Sequence, residues 1–310
     1  MNKLKCLFLS GLMAVMPVCM SGQQTPGEKS SKPRVIITCD PELDDLNSLI
    51  RFLLFSTDFR VEGLIYASSQ FHWKGDGHGT KWYVPGREYS RNGIDYGPME
   101  SWRWDPDERF IDDAVEAYEK VYPNLKSARP VLSDSRITLK SKVRIGNIEF
   151  DGDISKDTPG SELIKAVLLD DCTDPVFINA WGGGSTIARA LKSIQDIYEH
   201  TDAWKGIREK IIGKVVLSLS GDQDDTYARY IRPFWPELRQ MEMGGMTVGL
   251  AYNAQLRASK ENQVFYSPEW MQENIRSKGP FGEMYRVWGD GKQMVKGDKF
   301  DFFGLSGYTV

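Results

Sequence analysis

The sequence predicts an α/β fold with a mostly parallel central sheet flanked by helices. Short β-branched apolar runs recur along the chain, as strands buried on both faces require. Stretches with apolar residues three and four positions apart alternate with those runs. At the start, strand, helix and strand follow one another within about 35 residues, the length of a βαβ unit.

Val35-Ile36-Ile37-Thr38-Cys39 reads as the first buried strand. Asp45 to Phe55 carries Leu46, Leu49, Ile50, Leu53 and Leu54 at helical spacing, and Val61 to Ala67 reads as the second strand. Phe71 to Trp104 has no clear period and is rich in Gly, Trp, Tyr and charge, so a long surface excursion is expected. Helices are expected over Phe110 to Val121 and Ser161 to Leu169, then a strand at Val176 to Ala180. A helix over Ser185 to Ile194 follows a glycine turn, with a strand at Lys214 to Ser220 and a helix at Asp225 to Ile231. No internal repeat interrupts this alternation.

The 310 residues are 41% hydrophobic and 26% charged, an ordinary globular balance that excludes a disordered chain, a coiled coil and a collagen-like repeat. With 39 basic and 43 acidic residues the net charge is −4, and no basic run is present, which argues against a nucleic acid polymer as partner. Residues 1–22 read as a secretory signal peptide: Lys3 and Lys5, an apolar stretch from Leu7 to Val18, then small Ser21 and Gly22. That stretch is too short to span a bilayer and no other segment approaches the roughly 20 apolar residues needed, so no membrane span is expected. The expected location is periplasmic or extracellular. A lipid anchor at Cys19 is the alternative, although Val18 stands where such signals carry a small residue. Residues 23–33 read as a linker and residues 34–310 as one domain. Removing the signal takes away Cys6 and Cys19, leaving Cys39 and Cys172 as two unpaired buried thiols. With only His72, His78 and His200 in the chain, no Cys/His spacing resembles a zinc site.

In parallel sheets ligands bind at the carboxyl ends of strands, so the strand-to-helix turns are where chemistry is sought. The first such turn is Thr38-Cys39-Asp40-Pro41-Glu42-Leu43-Asp44-Asp45. Three aspartates crowd there, at a cost unless a cation or proton compensates, and carboxylates at this density suit Ca²⁺ or Mg²⁺. One of Asp44 and Asp45 could cap the helix, but one cap leaves Asp40 unexplained. The second turn, Trp181-Gly182-Gly183-Gly184-Ser185-Thr186, is neither a P-loop nor a dinucleotide fingerprint. The third, Ser220-Gly221-Asp222-Gln223-Asp224-Asp225, is again acidic, and for Asp225 capping and function are both open.

Together these residues resemble the nucleoside hydrolase superfamily, whose D-x-D-P-G-x-D-D signature is met by Asp40-Pro41-x-x-Asp44-Asp45, with Thr38 at the first acidic position and Glu42 in place of Gly. More closely, the chain resembles the nucleoside hydrolase-like domain of bacterial proteins labelled cellulose-binding. The shared segments are Asp44 to Leu54, Ser69 to Asp76, Ala180 to Gly183 and Asp222 to Asp225, and the resemblance runs from about residue 34 to the end. It implies a Rossmann-like, nucleoside hydrolase-like fold. It also implies a Ca²⁺-dependent hydrolase of N-glycosyl or other glycosyl bonds. Asp40 would bind the metal and take a proton from water, Asp45 and the Trp181 carbonyl would bind the metal, and Asp44 would contact a sugar hydroxyl. Gln70, His72, Trp73, Gln223, Asp224 and Asp225 would contact substrate, with simple packing the alternative for Trp73.

This chain departs from the family pattern. No His follows His200, and no E-G-D-T-P motif precedes Val310; Gly297-Asp298-Lys299 is the nearest echo, and a missing carboxyl-terminal portion is expected. The aromatic excursion, with Trp82, Tyr83, Tyr89, Tyr96, Trp102 and Trp104, suggests a carbohydrate ligand, and makes a non-catalytic glucan-binding domain on the same fold the rival reading. A homo-oligomer is a further expectation, since relatives of the fold often form them.

Overall fold

Six strands, β1 (Arg34–Cys39), β2 (Arg60–Tyr66), β3 (Val143–Ile145), β4 (Val176–Ala180), β5 (Val215–Leu219) and β6 (Arg239–Gln240), form one sheet in the order β3-β2-β1-β4-β5-β6. Every neighbouring pair is parallel. The computed structural model describes residues 32–91, 93, 95–128, 139–241 and 258–286. The expected signal peptide, most of the linker and Gly297-Asp298-Lys299 lie outside them.

β1 is buried along its whole length and its side chains alternate between two cores. Val35, Ile37 and Cys39 pack with α1 (Leu43–Phe55) and α2 (Phe110–Ala128), through Leu46, Leu49, Leu53, Ile111 and Tyr118. Ile36 faces the other way, with Ile178 and Leu217, onto α3 (Pro159–Leu169), α4 (Ser185–Tyr198) and α5 (Trp204–Lys214). Helices on both faces explain why the strands read as continuous apolar runs.

Several boundaries differ from the sequence expectation. α2 runs through Pro123 to Ala128. Lys214 closes α5 instead of opening β5, its ammonium buried on the carbonyls of Val167 and Leu168 at 3.0 and 3.2 Å. α5 itself has only Ile211 and Lys214 buried, too thin a stripe for periodicity to find. The helix expected at Asp225 is a π-helical turn over Tyr227–Ile231 followed by Arg232–Phe234, because Asp225 sits at φ 60° in the left-handed region. Cys39 is buried as expected, whereas Cys172 is only half-buried; both are free thiols.

The amino ends of the strands carry a paired charge network. Arg34, 2% exposed, bonds Glu62 at 2.7 Å and also pairs with Asp170, which accepts Lys214 Nζ at 2.6 Å. The Phe71–Trp104 excursion is not a loose surface loop but holds a small core. Trp73 and Tyr89, both fully buried, pack with Phe150, and Trp73 bridges Trp102 as Trp82 bridges Met99. Among the described residues no helix is long and apolar enough to cross a membrane.

Candidate functional site

The strand order reverses between β1 and β4, and a crevice opens at such a point beyond the carboxyl ends of the strands. Thr38 is in register with Ala180, and the Trp181 amide donates to the Thr38 carbonyl at 2.9 Å. Two residues further along each strand, Asp40 meets Gly182. A Cβ at Gly182 would lie 3.1 Å from Asp40 Cγ and Oδ2, so glycine leaves room for the carboxylate.

Asp40 is fully buried and its backbone amide donates to Asp45 Oδ1 at 3.1 Å. Neither of its own carboxylate oxygens has a hydrogen-bond partner among the described residues. His72 Nδ1, from the turn after β2, lies 3.7 Å from Asp40 Oδ2. One ligand atom each from Asp40, Glu42 and His72 fit within 4.8 Å of one another, as do those of Glu42, Asp44 and Asp45. Asp44 and Asp45 are in the first turn of α1, where the helix dipole favours negative charge. The crowding still tells on proton affinity. Burial pushes Glu42 up to about 8, and the charges of Asp44 and Asp40 add to this while His72 and Arg103 oppose it. Burial also raises Asp45, reinforced by Asp40, Asp44 and Glu42.

The other turns are locked to this one. Gly183 N donates to Ser68 O at 2.9 Å, and a Cβ there would fall 2.4 Å from Asp224 Oδ2 and 2.5 Å from Ser68 O. Asp224, 1% exposed, accepts from Ser185 N at 2.9 Å, capping α4, and from Thr226 N and Oγ1 at 3.1 and 2.6 Å. Asp222 caps the following turn through the Tyr227 and Ala228 amides. Capping on this loop therefore falls to Asp222 and Asp224, not Asp225. Gln223 Nε2 donates to the carbonyls of Trp181 and Ser220 at 2.6 and 3.0 Å, which fixes its amide and leaves Oε1 buried and, among the described residues, without a partner. Gln70 N donates to Gln223 O at 3.3 Å, and among the described residues Gln70 Oε1 likewise has no partner.

Asp225 is half-buried and bonded to Arg87, whose other partner is Asp151 at 2.8 Å. Asp151, 1% exposed, also accepts from Trp82 Nε1 and Tyr89 Oη at 2.8 and 3.1 Å, and burial raises its pKa against the opposing pull of Arg87. Trp73 lies wholly within the packed lobe. Asp40 and His72 thus meet, with Glu42, Asp44 and Asp45 on the same turn and Trp181, Gln70 and Gln223 on the neighbouring turns, while Asp224 braces the start of α4 and Trp73 is buried in the aromatic lobe. Sequence pattern does not single out Glu42, Arg87 or Asp151. Glu42 was legible only as the acidic residue standing where the family signature has glycine.

Residues 34–307 match the family described as Cellulose-binding Sde182, nucleoside hydrolase-like domain. The fold is similar to the solved structure of a nucleoside hydrolase-related hypothetical protein from Saccharophagus degradans that is associated with carbohydrate metabolism. The TM-score is 0.56 at 22% identity, over 83% of this chain and 51% of that one. The chain spans about half the length of that protein, and at this identity the likeness concerns the fold. No curated protein matches the chain.

Proposed function

The chain belongs to the Cellulose-binding Sde182, nucleoside hydrolase-like domain family, and on that footing we propose that it is an exported hydrolase of glycosyl bonds, N-glycosyl bonds among them, acting at the Asp40 turn. Asp40 carries this reading. A fully buried carboxylate with no donor on either oxygen is costly, and such costs are kept where a ligand or cation relieves them.

Asp40, Asp45 and the Trp181 carbonyl are the donors that the family resemblance assigns to Ca²⁺. Asp40 is open to a cation through its lone pairs and the space Gly182 leaves beside it. A divalent cation bound there would acidify a water and orient a sugar diol. Asp40 is the base that takes the proton of the attacking water, and Asp44 accepts a sugar hydroxyl from the same turn. The buried Oε1 atoms of Gln70 and Gln223 accept from further hydroxyls. His72 stands beside Asp40, and Asp225 lines the rim under the hold of Arg87. Asp224 and Trp73 shape these positions without touching substrate. Export rests on the signal-like residues 1–22.

A carbohydrate-binding role without catalysis is the second reading, favoured by the family's description and by Tyr83 and Tyr96, which are exposed on the excursion. The two separate in a screen of the mature chain on nitrophenyl glycosides and nucleosides, wild type beside Asp40→Asn. Turnover that falls about 10³-fold in a variant with an unchanged melting temperature supports the hydrolase. A wild type that turns over none of them, yet is retained on insoluble glucan as well as Asp40→Asn is, assigns the binding role instead.

A further inference from the structure

Of the two donor sets on the Asp40 turn, the one that includes Asp40 itself carries an imidazole. We propose that Asp40, Glu42 and His72 bind a first-row transition-metal ion of the Zn²⁺ class, one that accepts an imidazole nitrogen, in place of Ca²⁺. The inference rests on the reading of the Asp40 turn as the functional site and names the ion that site takes.

Two carboxylates and one imidazole, with ligand atoms within 4.8 Å of one another, are a three-residue donor set of the kind that leaves a coordination position for water. Independently, Asp40 is completely buried and neither of its carboxylate oxygens has a hydrogen-bond donor among the described residues, so it meets the other two as an open ligand. Calcium prefers six to eight oxygens. Two of the three oxygen donors assigned to it by resemblance already share a lone pair, the Trp181 carbonyl with Gln223 Nε2 at 2.6 Å and Asp45 Oδ1 with the Asp40 amide at 3.1 Å, which leaves fewer for a cation that wants many. Imidazole nitrogen suits Zn²⁺, Co²⁺ or Ni²⁺ and is a poor ligand for a hard cation. His72 is also well held for the purpose. The Ser69 amide donates to its carbonyl at 2.9 Å, turning the chain back on itself, and the next residue, Trp73, is anchored in the aromatic lobe. Glu42 ends the β1 turn immediately before α1, and its carbonyl accepts the Leu46 amide at 3.1 Å, fixing the backbone that carries the carboxylate.

The test is metal titration of chelator-stripped mature protein. Co²⁺ should give visible absorption bands at one ion per chain, Zn²⁺ should abolish them by competition, and Ca²⁺ in large excess should not. His72→Ala and Glu42→Gln should each weaken Zn²⁺ by at least about tenfold in calorimetry, with His72→Asn as a second variant if the alanine form does not fold. The proposal is overturned if Ca²⁺ binds with an affinity that His72→Ala leaves unchanged and Zn²⁺ binds wild type no better than that variant. It also falls if neither ion binds while Asp40→Asn still abolishes turnover; the functional site then stands without this metal. Zn²⁺ bound at the three residues in a protein that hydrolyses no glycoside would support the metal site and sink the hydrolase reading.

Discussion

Nδ1 of His72 lies 3.7 Å from Oδ2 of Asp40, with both side chains 1% exposed. The contact joins the turn after β2 to the turn after β1, so two adjacent strands deliver an imidazole and a carboxylate to one dry spot. The proposed chemistry is placed at that pair, and several expected outcomes follow from its surroundings.

Asp40→Asn should keep or raise the melting temperature while turnover falls about 10³-fold. Amide for carboxylate is nearly isosteric, and it removes a buried charge that no described donor satisfies. Steady-state kinetics beside a thermal melt reads both quantities. A variant that loses activity and stability together would instead make Asp40 a structural residue.

Stability should fall as pH rises in metal-free protein. Glu42 holds its proton up to about 8 when folded but titrates near 4.3 when unfolded, and Asp45 is shifted the same way. Stability from the protonated forms is therefore complete below the unfolded values and is lost as pH climbs through the folded ones. Melts in chelator at about pH 5, 6.5 and 8 should show a descending series, flatter in Glu42→Gln. A level series in wild type would mean that these carboxylates ionise without strain.

Gly183→Ala should destabilise by about 1–3 kcal/mol, since the new methyl would meet Asp224 Oδ2 and Ser68 O at 2.4 and 2.5 Å and neither can retreat. Ser68 Oγ is tied to the Asn147 and Phe150 carbonyls, and Asp224 to the start of α4. Urea unfolding gives the number. A midpoint unchanged from wild type would show that the two turns are not interlocked.

Trp73 and Tyr96 should separate packing from recognition. Trp73→Ala should cost about 3–5 kcal/mol, because a wholly buried indole leaves a cavity in the lobe. Tyr96→Ala, 45% exposed, should cost little, and glucan retention should fall in it if the lobe binds carbohydrate. Equal retention by wild type and Tyr96→Ala would remove Tyr96 from any binding face.

The parallel α/β architecture was legible because β1, β4 and β5 are built mostly of apolar residues, with β1 and β5 buried along their whole length. β3, with only Val143 and Ile145 to announce it, and α5, with its narrow stripe, lie below what periodicity can detect. The Asp40 turn stood out through charge density alone. The partnership of Asp40 with His72 did not, because it depends on parallel pairing that sets residues 32 positions apart side by side. In the excursion, composition alone could not separate packing from recognition: Trp73 and Tyr89 are the lobe's own core, while Tyr83 and Tyr96 stay exposed. That Asp224 braces the start of α4 and Thr226 was not legible, since a carboxylate at a strand end can serve a bound molecule or a neighbouring helix equally well.

The paired charges of Arg34, Glu62, Asp170 and Lys214 occupy the opposite pole of the sheet from the crowded acids. Six residues of β1 at roughly 3.3 Å each put Arg34 about 20 Å from Asp40, beyond the range at which substitutions usually couple. The molecule therefore has a satisfied pole and a frustrated one that can evolve separately. Lineages that strengthen the amino pole gain tolerance for costlier chemistry at the other, and an engineer can reinforce the first to rescue damaged variants of the second without altering what the site recognises.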